Sequence, residues 1–350
     1  MTKNEWREAM QAKLAGTEEC ERMIAYYEEM IDDRIEMGMD EESAVGALGD
    51  IDALTKDYIP RLPVLSPSRE QERYGAFSEV RVHLKNADCD ILRDALPTGT
   101  YGVFTTARPE AFEWSIENDI LEIREKALPR RHLFGFENIQ ATLRLSCEGL
   151  QKLIADDTGG DLHITNIEAA ALIALSGARD HICVEAARCP DRIELRTRSG
   201  DIQLNDVRAQ SDIKGESVSG DIEIRLCAAE RIQARTTSGD VDIRRCAGGS
   251  AALGSVSGDI DAGDSDWTND MAVETKSGDI QIDRAAAEHI RFNTASGDIH
   301  ALLPLCDQGY RLDAHSVSGD VRFDLPDGGD GSRSIHARSV SGDIFIRAQN

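Results

Sequence analysis

The tripeptide Ser-Gly-Asp occurs eight times between residues 199 and 343, and successive aspartates lie 19 to 23 residues apart. The copies are Ser199-Gly200-Asp201, Ser219-Gly220-Asp221, Ser238-Gly239-Asp240, Ser257-Gly258-Asp259, Ser277-Gly278-Asp279, Ser296-Gly297-Asp298, Ser318-Gly319-Asp320 and Ser341-Gly342-Asp343. Two degenerate copies precede them, at residues 158–161 and 176–180. A near-constant period of about twenty residues is typical of solenoids, in which each copy forms one turn and stacks on its neighbours.

The residues around the motif fall into columns of one type. Four residues before each aspartate stands a hydroxyl, at Thr197, Ser217, Thr236, Ser255, Thr275, Thr294, Ser316 and Ser339. One residue after it stands Ile or Val, at Ile202, Ile222, Val241, Ile260, Ile280, Ile299, Val321 and Ile344. Even positions before the aspartate and odd positions after it are apolar or small, so both sets are expected to face the interior. The inward phase must therefore change by one residue between the motif serine and the Ile or Val.

A corner at Gly-Asp accounts for this change of phase. Glycine supplies unusual dihedral angles, and the aspartate carboxylate can accept hydrogen bonds from nearby backbone N–H groups. Successive turns then stack in parallel at about 4.8 Å. We predict a mainly β chain in which residues 77–350 form a single-chain parallel β-solenoid (β-helix) of roughly ten or more rungs, with the eight motifs as structural turns.

The stacked aspartates have an alternative role as a cation ladder. Carboxylates about 5 Å apart repel by about 1 kcal/mol when fully hydrated, and calcium would relieve that repulsion. The spacing is unlike the nine-residue repeat of calcium-binding β-rolls, however, and the second carboxylate of a ligand set is missing. The structural turn is the favoured interpretation, and no metal ligand is assigned.

The amino-terminal residues have helical periodicity. Trp6, Met10 and Leu14 share one face, and Met23, Ile24, Tyr27, Ile31 and Ile35 share another. Asp40 is expected to cap a third segment. We predict a three-helix, all-α domain over residues 1–60 and a Pro/Ser linker over 61–76. So short a domain buries little surface, so either it forms a small self-contained bundle or part of its apolar face docks a partner. Tyr26, Tyr27 and Leu48 are the candidate docking residues.

Charge and composition exclude several classes of protein. The formal net charge is −25, from 64 acidic and 39 basic side chains, and aromatic residues make up only 5%. Such a surface repels phosphate backbones and lacks stacking platforms, so nucleic-acid binding is not expected. No apolar run is long enough to span a membrane, and no signal core precedes residue 16, so we expect a cytoplasmic chain. The eight cysteines form no C-x-x-C pair and are expected to be free thiols.

No catalytic signature is present in the sequence. The eight histidines keep no fixed offset from the repeat, and there is no phosphate-binding loop, zinc-protease motif or nucleophile elbow. The serines belong to the repeated corner, where repetition indicates architecture. We therefore assign no catalytic, cofactor-binding or metal-ligating residue.

Two resemblances add to this interpretation. The repeated Ser-Gly-Asp-Ile/Val turns from Phe77 to Asn350 resemble the bacterial putative-adhesin β-strand-repeat family, a domain of unknown function. That resemblance implies surface attachment. Residues 26–29, before Gly38, with residues 41–50 after it, resemble the HAAS helical domain, which implies association with PadR-type transcription regulators. HAAS domains typically precede a membrane segment, whereas here residues 60–67 lead directly into the β-region.

Our leading hypothesis is a non-catalytic interaction or scaffold protein. Its helices would dock a regulator of the PadR type, and its solenoid would present a binding or assembly surface. The alternatives are a cell-surface adhesin and a polysaccharide-active or cation-dependent β-helix enzyme. Because residues 344–347, close to the end of the sequence, lie within the final turn, we also expect self-association into a homodimer through an open strand edge there.

Overall fold

The computed structural model describes residues 2–14, 24, 27–28, 30–31, 34–35, 39–48, 70–126, 139–176, 181–304, 309–325 and 332–349. The chain divides into two compact units, Met1–Ser68 and Arg69–Asn350. The predicted linker at 61–76 is wrong at its carboxyl side, because Glu70–Tyr74 is a strand of the second unit. Its sequence, EQERY, lacks the alternating apolar residues by which strands are recognised.

The first unit is a small helical core. Helix α1 spans Lys3–Leu14 and helix α2 spans Glu41–Gly46, and the described residues between 24 and 35 are also helical. Asp40 caps α2 as predicted, since its Oδ1 accepts a hydrogen bond from Ser43 N at 3.0 Å. The core contains Trp6, Met10, Ile24, Tyr27, Ile31, Ala44 and Val45. Gly16, Gly38 and the linker prolines lie outside the described residues.

The second unit is the predicted parallel β-solenoid, built mainly from two long sheets. Among the described residues, sheet A has 14 strands: β1 Glu70–Tyr74, β3 Ala87–Arg93, β4 Gly102–Thr106, β7 Ile139–Leu145, β9 Leu162–Thr165, β11 Ile182–Glu185, β14 Ile202–Asn205, β17 Ile222–Arg225, β19 Val241–Arg244, β21 Ile260–Gly263, β23 Ile280–Asp283, β25 Ile299–Pro304, β27 Val321–Asp324 and β29 Ile344–Gln349.

In the same described ranges, sheet B has 15 strands: β2 Glu79–His83, β5 Phe112–Glu117, β6 Ile120–Glu125, β8 Lys152–Asp157, β10 Ala171–Ser176, β12 Arg188–Cys189, β13 Arg192–Arg196, β15 Arg208–Ala209, β16 Asp212–Glu216, β18 Ala228–Arg235, β20 Ala247–Gly254, β22 Asp266–Glu274, β24 His289–Asn293, β26 Arg311–Ser316 and β28 Ser334–Ser339. A 3-10 turn, Pro109–Ala111, precedes β5.

Each regular turn runs from a strand of sheet B through the Ser-Gly-Asp corner to a strand of sheet A. In one such turn Ile213 is buried on β16, and Ile222 and Ile224 are buried on β17. The inward side changes parity between the two strands, which confirms the predicted change of phase. In-register stacking places Ile222 between Ile202 and Val241, so like side chains form continuous ladders through the core.

A second corner follows the sheet A strand and was not predicted. Its residue adopts the left-handed conformation, with φ between 49° and 56°, at Asn166, Ala186, Asp206, Leu226, Arg245, Asp264 and Arg284. Only Asn and Asp among these tolerate that conformation well. Because the side-chain types differ from turn to turn, the column carries no sequence signature.

The order of turns in space departs from the order in sequence at the carboxyl end. β29 lies between β25 and β27, and β28 lies between β24 and β26. The strand edge predicted at residues 344–347 is therefore wrong, since the end of the stack is formed by β26 and β27. The two longest intervals between aspartates, 22 and 23 residues, precede Asp320 and Asp343. The extra residues give the chain length to pass over one turn and return.

The amino end of the stack is rearranged in the same way. β2 lies between β6 and β8, and β3 lies between β7 and β9. β1, β4 and β5 pair antiparallel with their neighbours. The ring centroids of Tyr74 and Trp114 are 4.9 Å apart. The imperfect early turns that the sequence indicates before Cys147 are thus two parallel turns closed by antiparallel strands.

Candidate functional site

The motif aspartates join successive turns through their carboxylates. From Asp221 onward, the backbone N of each motif aspartate donates to Oδ1 of the motif aspartate in the adjacent turn of the stack, as from Asp221 to Asp201 at 2.9 Å and from Asp279 to Asp259 at 2.8 Å. The series continues without a break to Asp320, which donates to Asp343. One oxygen of each of these acceptor carboxylates is thereby used by the fold.

The hydroxyl column forms a second, buried ladder. Thr236 Oγ1 donates to Gly220 O at 2.9 Å, and Thr275 Oγ1 donates to Gly258 O at 3.1 Å. Both hydroxyl residues are about 6% exposed. Each bond satisfies a carbonyl at the corner, where regular sheet pairing is interrupted.

The motif glycines are needed for close stacking. A Cβ added to Gly278 would lie 2.1 Å from Gly258 O, and the other motif glycines from Gly220 onward meet the same obstacle. None of the motif glycines is among the described residues with positive φ. The predicted reason for glycine, an unusual dihedral angle, is therefore wrong, and the physical reason is contact between neighbouring backbones.

The motif serines do not face the interior, contrary to the predicted pattern. The side chains of Ser199, Ser219, Ser238, Ser257, Ser277, Ser296, Ser318 and Ser341 are exposed. The sheet B strand ends at the buried residue of the hydroxyl column. The change in which alternate residues face the core therefore occurs before the motif serine. Ser219 N, for example, donates to Arg198 O at 3.0 Å across the stack.

Replacing Asp259 with alanine is expected to lower the free energy of unfolding by about 1.5–3 kcal/mol, because Asp279 N loses a charged acceptor. Asp259→Asn keeps an acceptor oxygen and removes one of a row of like charges, so its stability should stay near that of the native chain. Chemical denaturation of both variants measures the difference. Equal losses in both would mean that the charge itself is required, and a rise in the midpoint of unfolding at millimolar calcium would favour the cation ladder.

The predicted docking residues of the helical unit have unequal positions. Tyr27 is only 8% exposed and packs edge-on against Trp6, with ring centroids 5.8 Å apart. Leu48 is half-buried against the same core, and Tyr26 lies outside the described residues. Ile35 and Met39, which are 37% and 41% exposed, are the more accessible apolar side chains.

A groove crosses the outer face of sheet B, where side chains point away from the core. In one row across the turns, Gln233, Ala252, Ala272 and Arg291 are in-register neighbours. The two alanines form a floor between longer side chains, whose strands are about 14 Å apart by the usual spacing. The groove encloses about 620 Å³ and is continuous, through the alanines, with a second of about 430 Å³.

The groove is cationic although the chain is strongly acidic. Four Lys or Arg side chains line its two parts, at Arg231, Arg235, Lys276 and Arg291, together with His289 and His336. The carboxylates that line it are those of Asp270 and Glu274. Sheet A, in contrast, brings carboxylates together. The pKa of Asp261 is raised there, first by burial of the carboxyl and second by the negative charge of Asp242. The sequence did not predict the two alanines and their cationic neighbours, because the repeated columns are those of inward-facing residues.

The described residues contain no group of three His, Cys, Asp or Glu placed to hold a metal ion. A third pocket, of about 530 Å³, lies near the amino end of the stack and combines Phe104, Phe112 and Trp114 with Glu72, Glu110 and Glu113.

The described cysteines are free, and burial raises the pKa of Cys189 to about 11. No helix of the described residues is long and apolar enough to cross a membrane.

Comparison with known proteins supports the solenoid assignment. Residues 211–350 match the family described as Toastrack DUF4097, a shorter stretch than the resemblance in the sequence indicated. No curated protein is significantly similar to the chain. The match does not reach the helical residues, so their likeness to the HAAS domain stays a prediction.

Several solved structures are similar over about four-fifths of the chain. A "putative adhesin" from Bacteroides fragilis NCTC 9343 is 13% identical over 81% of this chain and 99% of its own, with a TM-score of 0.39. A "putative lipid binding protein" from Parabacteroides distasonis ATCC 8503 is 11% identical over 80% and 96%, with a TM-score of 0.41. A "putative adhesin" from Parabacteroides merdae ATCC 43184 is 10% identical over 80% and 95%, with a TM-score of 0.39.

Proposed function

We propose that this chain is a non-catalytic binding protein whose solenoid holds an extended anionic ligand in the groove on sheet B. The observation that carries the proposal is the row Gln233, Ala252, Ala272, Arg291, where two small outward side chains lie between long polar ones. A groove that follows the strands suits an elongated molecule, and its cationic lining suits carboxylate or phosphate groups.

The architecture explains why such a site would be rigid. Its floor is formed by the outer faces of β20 and β22, while the inward neighbours Leu253 and Val273 are 3% and 0% exposed. A binding surface on packed strands loses little conformational entropy when a ligand binds. The Ser-Gly-Asp residues contribute hydrogen bonds between turns and do not line this groove, although Ser255 and Thr275 of the hydroxyl column do.

Ala252→Trp is expected to fill the groove and weaken binding of an oligogalacturonate probe at least tenfold, and Arg291→Glu should weaken it similarly. Both side chains point outward, so the midpoint of thermal unfolding should stay within a few degrees of the native value. Isothermal titration calorimetry at low salt measures the affinity, and Gln203→Trp on sheet A is the matched control. Binding that resists both groove substitutions, or no binding by the native chain, would count against the proposal.

The helical unit is proposed to dock a second protein, a transcription regulator of the PadR type. Ile35 and Met39, which are partly exposed, are the apolar side chains that such a partner could contact. Binding of the full chain to purified PadR-type regulators of the source organism tests it. Ile35→Glu with Met39→Glu should abolish that binding and leave oligogalacturonate binding unchanged; an unaffected complex would contradict the assignment.

A cytoplasmic location is part of this proposal, and attachment at the cell surface is its alternative. Fractionation of native cells separates the two. Recovery of the chain in the soluble cytoplasmic fraction agrees with a regulator as partner. Recovery in the envelope fraction, accessible to protease added to intact cells, would favour the adhesin.

A further inference from the structure

The carboxyl end of the stack is an open surface. Within the part of the chain that the structure describes, β26 pairs with β28 alone and β27 pairs with β29 alone. Phe323 is 54% exposed, whereas Ile346, its in-register neighbour on β29, is 0% exposed. Val317, in the corner between the two end strands, is 70% exposed. At the Phe323 position a side chain that is covered in an interior turn thus remains open to solvent, whereas the Val317 position is also exposed in interior turns, as at Val218 and Val340.

The end strands also present unused backbone groups. Ile344 N donates to Asp320 O at 2.9 Å, so even-numbered residues around β27 direct their backbone groups toward β29. Backbone direction alternates along a strand, and Phe323 therefore directs its N–H and C=O away from the stack. On β26, Arg311 N donates to Arg333 O at 2.9 Å, which by the same rule leaves the groups of Ala314 directed outward.

The two ends of the solenoid are unlike. At the amino end, the antiparallel strands β1 and β5 bring Tyr74 and Trp114 into contact, so the described residues there offer no open parallel turn. Head-to-tail stacking would need two complementary ends, whereas two identical open ends satisfy one another through a two-fold axis.

We infer that two copies of this chain associate end to end, with β27 antiparallel to β27 of the second copy and β26 antiparallel to its β26. Centring the first pair on Phe323 places Arg322 opposite Asp324 of the second copy. Centring the second pair on Ala314 places Asp313 opposite His315 of the second copy. Ala314 lies five residues before Gly319, the middle of their corner, and Phe323 lies four residues after it, so one two-fold axis can pass close to both.

Charge selects this register over its neighbours. Centring β27 on Arg322 would place that side chain opposite itself, and centring it on Asp324 would oppose two carboxylates. A register shift by one residue would pair inward-facing side chains of one copy with outward-facing side chains of the other. The charged outward-facing side chains would then be buried against the core. In a single chain Arg322 also pairs with Asp320 at 2.9 Å, but both are about two-thirds exposed, so that bond is weak.

A charge-reversal cycle tests the pairing. Asp324→Arg places two arginines opposite each other on both sides of the axis and should weaken the dimer roughly tenfold, since two favourable pairs become unfavourable. Arg322→Asp should do the same by opposing carboxylates. The double variant restores opposite charges and should recover the dimer. Sedimentation equilibrium of the full chain measures the association constant.

A disulfide provides an independent measurement of the register. Phe323→Cys places two thiols across the axis, where paired Cα atoms are about 5.5 Å apart, a separation that a disulfide spans. Mild oxidation with diamide should convert this variant to a covalent dimer faster than the native chain or Ile346→Cys. A monomeric native chain, a dimer indifferent to the charge cycle, or no faster cross-linking at residue 323 would each overturn the inference.

Discussion

Gly278→Ala is expected to lower the free energy of unfolding by about 3–5 kcal/mol, more than most single substitutions do. The added methyl would lie 2.1 Å from Gly258 O and 2.6 Å from its carbonyl carbon. Both atoms belong to the backbone of the preceding turn, so the strain cannot be relieved by rotating a side chain. Chemical denaturation followed by circular dichroism measures the loss.

Gly254→Ala is the matched control for that prediction. There the nearest atoms to an added Cβ are Arg235 Cγ and Glu274 O, both at 3.7 Å. Alanine at this strand position should leave stability unchanged or raise it by about 0.5 kcal/mol, because it restricts the unfolded chain. Similar losses at both glycines would show that the stacking contact is not the cause.

Phe292→Ala is expected to cost about 3–5 kcal/mol of unfolding free energy. Phe292 is fully buried and stacks between Val273 and Ala337, so its removal leaves a cavity that these smaller neighbours cannot fill. Phe292→Leu should cost about 1–1.5 kcal/mol. Val218→Ala, at a side chain 51% exposed, is the control and should change stability by less than about 0.5 kcal/mol.

The solenoid itself could be predicted because its core is periodic. Ile202, Ile222 and Val241 occupy one column in the sequence and one ladder in the structure. The second corner could not be predicted, since residues as different as Leu226 and Arg245 share its left-handed conformation. That conformation is imposed by the stacked turns on either side and leaves no common side chain in the column.

The reordered ends and the groove escaped the sequence for different reasons. Repeats of equal composition can exchange places in a stack with little change in local contacts, so periodicity does not specify that β29 precedes β27 in space. The groove depends on outward positions such as Ala252 and Ala272, where small side chains become meaningful only beside Gln233 and Arg291 of adjacent turns. Those neighbours are about twenty residues away in sequence.

The inserted position of β28 and β29 has a consequence for how the chain acquires its shape during synthesis. Turns can be added one by one, in the order in which they are translated, only as far as β25. β26 and β27 are made next but lack their neighbours until residues 334–349 have followed. In the nascent chain, β26 and β27 must therefore remain unpaired until β28 and β29 have been synthesised. A translation product that stops earlier would expose the unpaired edge of β25, which could then aggregate.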